Sequence, residues 1–150
     1  MAALQSIFLP AASHFSTVSS PHLVTPSNPA RDDGTLDYTR CAALHNEILL
    51  RGWLGSGREC DEMPDRNWFA YHGAEAEAVR SRLSPDLNSF LTLATQVGEI
   101  ANDFSLFYYV KGLRYPGMLW INHEGFGDDD RDRFVTLYSS TSDSRPDGLV

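Results

Sequence analysis

The chain of 150 residues carries 20 acidic and 12 basic side chains, has a formal net charge of −8, and is 42% hydrophobic. That length accommodates one domain with an arm, and the apolar share can bury a core, so a wholly disordered chain is excluded. The acidic balance excludes a general nucleic-acid binder, since phosphate contacts need a basic surface, and no apolar run is long enough to span a membrane.

No Asp, Glu, Lys or Arg occurs before Arg31, whereas Pro10, Pro21, Pro26 and Pro29 all fall in that stretch. Prolines at such intervals interrupt helices and sheet ladders alike, so residues 1–33 read as an uncharged Ser/Pro-rich arm. The arm lacks the basic start and apolar core of a secretory signal and the arginines of a transit peptide, which points to a cytoplasmic protein. Its composition is also that of bacterial effectors exported by needle-type machines, so delivery into a host or target cell is the alternative. Phe8, Leu9, Phe15, Val18 and Leu23 give the arm apolar surface with which to dock on its own domain, on a partner or on a second copy. Cys41 and Cys60 are too few for a disulfide framework and read as reduced thiols. Arginine replaces lysine everywhere except Lys111, a bias of GC-rich microbial or viral genomes.

Arg31-Asp32-Asp33-Gly34 is a charged turn that opens a single domain over residues 34–140, and residues 141–150 form a polar tail. The spacing of Cys41, Leu44, Ile48 and Leu49 predicts a helix over Asp37–Arg51, with Thr35 or Asp37 near its start and Gly52 after its end. Trp53 and Leu54 then pack, Gly55-Ser56-Gly57 turns the chain, and a charged loop runs from Arg58 to Arg66. Asn67–His72 reads as a short strand ending at Gly73, and Ala74–Leu83 as a helix with acids first and arginines last. Ser84-Pro85-Asp86 is a strong helix start, with a Ser cap, Pro in the first turn and an early acid. Leu87, Phe90, Leu91, Ala94, Val97, Ile100, Ala101 and Phe104 predict that this helix continues for about five turns. Phe104–Val110 favours a strand, Tyr115-Pro116-Gly117 a type II turn, and Met118–Asn122 with Arg133–Ser139 an antiparallel pair flanking a loop over His123–Asp132. The expected fold is α+β: two or three helices packed on a small, mostly antiparallel sheet, preceded by an extended N-terminal arm.

Asp128, Asp130 and Asp132 match the first ligand positions of an EF-hand loop, but Arg133 stands where glycine is needed and Ser139 where a bidentate glutamate is needed. His45-Asn46-Glu47 spells half of a zinc-deaminase signature, without the paired cysteines that complete it. Glu99 and Asp103 share a helix face with no third ligand, and Gly55-Ser56-Gly57-Arg58 lacks the lysine of a phosphate loop. The expectation is therefore no metal and no cofactor. One catalytic arrangement is open: Cys41 in the first turns of a helix, where the dipole favours thiolate, with His72 as its base, in a small cysteine hydrolase or transferase.

The principal expectation is a non-catalytic acidic protein-binding protein: an inhibitor, immunity-type protein, adaptor or assembly component. Its partner is another protein with a basic surface, with no direct nucleic-acid or membrane contact. Asp128, Asp129, Asp130 and Asp132 would steer that partner, and Phe126 and Trp53 would anchor it, since loop aromatics supply compact apolar contact.

Overall fold

The computed structural model describes residues 20–98, 106, 110–120 and 134–140. Four helices, α1 (Tyr38–Gly55), α2 (Trp68–His72), α3 (Ala74–Val79) and α4 (Pro85–Leu93), pack with an antiparallel pair, β1 (Val110–Leu113) and β2 (Tyr138–Ser140). The fold is α+β.

Helix α1 begins where Asp37 accepts the Arg40 N–H at 3.2 Å, satisfying a first-turn donor. It runs past the expected Arg51 to Gly55, because Gly52 sits inside a helix whose last turn is held by burial of Trp53. Ala42, His45, Leu49 and Trp53, spaced three and four apart, form its buried face, and α4 lies along it. Trp68, Leu91 and Leu119 are fully buried at the centre of the main core, while Leu49, Trp53 and Leu106 form a second cluster.

Three expectations about elements are corrected. Asn67–His72 is not a strand: Trp68–His72 is a helix, capped by the Asn67 side chain accepting the Ala70 N–H at 2.8 Å. Gly73, at φ +55°, closes it through an N–H to the Phe69 carbonyl and leads straight into α3, a backbone turn that suits glycine. The aromatic run favoured a strand by propensity, and burial of Trp68 and Phe69 overrides that preference.

Helix α4 starts at the Ser84 cap as expected, but it stops at Leu93 rather than near Phe104. Asn46 of α1 intercepts its end: the amide donates to the Leu93 carbonyl at 3.0 Å and accepts the Thr95 N–H at 2.8 Å. The chain then runs extended beside residues 66–68, with Gln96 N–H on the Arg66 carbonyl and Trp68 N–H on the Ala94 carbonyl. The remainder of the expected helix, residues 99–105, lies outside the described residues.

Val110 falls in a strand, but β2 pairs with β1 and not with Met118–Trp120; Ile121 and Asn122 of the expected strand lie outside the described residues. Met118 ends a 3-10 turn over Pro116–Met118, Leu119 and Trp120 continue as a turn, and Gly117 does not adopt the positive φ of a type II turn. Burial of Pro116 and Leu119 fixes that turn against α3. Of the expected Arg133–Ser139 strand, only Tyr138 and Ser139 are in β2, which ends at Ser140.

Residues 20–30 of the arm lie against α1. The Arg40 guanidinium gathers them, donating to the carbonyls of His22, Leu23, Asn28 and Pro29 at 2.7–2.8 Å. The Asn28 side chain adds bonds to the Pro21 and Leu23 carbonyls, and Thr25 and Asn28 exchange backbone bonds at 3.0 Å. An uncharged, proline-broken segment has many carbonyls that no ladder uses, and a planar five-donor cation suits them.

Candidate functional site

The two flanks of the acidic span are built from the core outward. Trp68 donates its indole N–H to the Arg114 carbonyl at 2.8 Å, tying α2 to the chain that leaves β1. Arg114 N–H donates to the Leu137 carbonyl at 2.8 Å, and Thr136 N–H to the Leu119 carbonyl at 2.9 Å. Residues 134–137 thus run beside residues 114 and 119, which brings together the two flanks of residues 121–133. Phe126, Asp128, Asp129, Asp130 and Asp132 belong to that span and lie outside the described residues. At its flanks, Tyr115, Met118 and Phe134 stay 42%, 41% and 44% exposed. The Arg82 guanidinium covers the neighbouring Trp120 ring, 3.8 Å from its centroid.

Trp53 is not at such a surface. It is 5% exposed in the last turn of α1, packed with Leu49 and Leu106, and its indole N–H donates to the Glu59 carbonyl at 2.7 Å. It had been expected to anchor a partner from a loop; instead it closes a core, because α1 continues through it.

Cys41 and His72 occupy different surroundings. Cys41 is half-buried on α1 beside the main core, and burial, followed by the Asp37 carboxylate, pushes its thiol upward. Both influences oppose the thiolate that a helix start favours. His72 ends α2, with its ring against Trp68, Tyr71 and Tyr115 at centroid distances of 5.0, 4.8 and 5.3 Å. Burial lowers its pKa, its Nε2 is buried without a hydrogen-bond partner, and no hydrogen bond joins it to Cys41. Among the described residues no three His, Cys, Asp or Glu side chains are grouped to hold a metal, and no helix is long and apolar enough to cross a membrane.

One buried polar junction carried no clear sequence signal. His45 is 4% exposed, with Nε2 2.9 Å from the Thr95 carbonyl and Nδ1 3.0 Å from the Tyr138 hydroxyl. A carbonyl only accepts, so Nε2 carries the proton, and the bare Nδ1 accepts from Tyr138. Burial keeps the imidazole neutral and pushes the Tyr138 phenol up to about 12, so both groups hold these roles through neutral pH. The ring joins α1, the segment after α4, and β2. Its position four before Leu49 on the buried face of α1 was the available signal; its partners, 50 and 93 residues away, were not readable.

No family model matches the chain, and no curated protein or solved structure matches it either.

Proposed function

We propose that this is a non-catalytic protein-binding protein that engages a basic partner through its acidic loop. The observation that supports the reading is the trio Tyr115, Met118 and Phe134, exposed at the flanks of the span containing Asp128–Asp132. Apolar side chains beside a concentrated negative charge combine anchoring with steering: desolvation of the former supplies affinity, and the latter raises the encounter rate. Arg114, Trp68 and the Thr136–Leu119 bond give this edge a fixed base.

The reading is tested with a photo-crosslinking residue placed in turn at Met118, at Phe134 and at the exposed Leu93 at the end of α4, in the cells that make the protein. Met118 and Phe134 should capture the same protein and Leu93 should not. Asp128→Asn with Asp130→Asn should weaken capture more at low salt than at high salt, as long-range charge requires. Equal capture at Leu93, or indifference to the two aspartates, overturns the reading.

A further inference from the structure

Among the described residues, only the arm borders the outer face of α1. Opposite its buried side, Leu44, Glu47, Ile48, Arg51 and Leu54 recur at helical spacing, and Ile48 and Leu54 are exposed. Beside them the docked arm raises a wall, so that Ser20 and Leu23 complete a groove of about 190 Å³ over Leu44 and Ile48. Val24, next to that wall, is the most exposed large apolar residue described. Two apolar faces on one helix exceed what a single core requires.

The charge of this face indicates what covers it. Residues 20–30 carry no formal charge, and on α1 the only outer charges are Glu47 and Arg51, which bond to each other and cancel. Hydrogen bonds from the Ser20 and Arg51 side chains hold the Glu47 carboxyl below its ordinary range, so it stays ionised. A basic partner finds no net attraction here. A second chain that also carries −8 meets a surface on which the general repulsion is locally absent. Glu47 and Arg51 are moreover self-complementary under a two-fold axis. An antiparallel copy of α1 that sets Glu47 against Arg51 of the second copy also sets Leu44 against Leu54.

We propose that the outer face of α1, with the Leu23–Val24 edge of the arm, is a homodimer interface in which two copies of α1 pack antiparallel about an axis level with Leu49 and next to Ile48. It is separate from the acidic-loop edge and does not depend on that reading.

The test is sedimentation velocity on the full chain from micromolar to near-millimolar concentration, with circular dichroism confirming that each variant is folded. The parent should show a concentration-dependent dimer. Ile48→Asp, which places an unpaired carboxylate beside the axis, should raise the dimer Kd by well over roughly tenfold. Val24→Asp should also weaken it. Glu47→Arg should weaken the dimer by setting like charges across the axis, and adding Arg51→Glu should restore it, because the pair is then merely exchanged. A parent that stays monomeric throughout overturns the proposal, whether another protein or the chain's own first residues take that face. A dimer indifferent to Ile48→Asp, or one that the double charge exchange fails to restore, overturns it as well.

Discussion

The buried His45–Tyr138 contact makes the sharpest demand on the structure. Tyr138→Phe keeps the ring and deletes the donor to Nδ1, leaving a nitrogen on a 4%-exposed residue with no partner. Loss of one hydrogen bond is worth about 1 kcal/mol, and a stranded buried acceptor adds about 1–3, less what is regained by not burying a hydroxyl. A net loss of about 2 kcal/mol follows, or a fall in Tm of roughly 4–8 °C for a chain of this size. His45→Phe removes the other partner, and the two changes together should cost about 1 kcal/mol less than their sum, since the Nδ1 and the Tyr138 hydroxyl are then removed together. The same contact sets a pH dependence. Burial lowers the folded-state pKa of His45, so the unfolded chain takes up its proton first as pH drops. Stability from this group is complete above the unfolded value near 6.5 and is lost as pH falls from there through the depressed folded value. Thermal melts at pH 7.5 and 5.5 measure both effects: His45→Phe should flatten the acid-side decline, with the remainder carried by His72 and the carboxylates. A Tyr138→Phe melt within about 1 °C of the parent, or strictly additive variants, would refute the assigned tautomer and its role.

Arg40→Met should release residues 20–30, at a cost of about 1–3 kcal/mol confined to the arm, and hydrogen exchange should quicken at the Thr25 and Asn28 amides while α4 is unchanged. Gly98→Ala would drive a Cβ into the outer end of the Tyr71 ring, which must then shift, so it should lower stability by about 1–3 kcal/mol. Tyr71→Ala in the same chain should relieve that clash, which a pair of melts against Tyr71→Ala alone can show. Cys41, half-buried with its thiol pushed upward, should alkylate at pH 7.5 more slowly than the exposed Cys60 in the native protein and at a similar rate in denaturant. Faster native labelling of Cys41, read by mass spectrometry of the two peptides, would support a nucleophilic role.

Signals confined to one turn of chain were legible. Asp37 before the first apolar face and Ser84 before Pro85 mark the starts of α1 and α4, because a cap needs only the three residues that follow it. Asn67 offered the same signal for α2 and was outweighed by the aromatic run behind it. The candidate site was legible only as composition. An acidic span could be seen, but not that residues 114, 119 and 134–137 join at its flanks, nor that Trp53 lies inside a helix and a core.

By itself the sequence determined the charge-free arm, the concentration of acid at Asp128–Asp132, the helix starts and the α+β class, since each depends on residue type or on spacing within a few positions. Tertiary structure alone decided where α4 stops, which strand β2 joins, how Arg40 gathers the arm and how His45 is satisfied. Each of those outcomes turns on a buried polar group or backbone edge finding a partner tens of residues away. Local propensity carries no information about that partner, and leaving the group unpaired would cost more than the propensity it overrides.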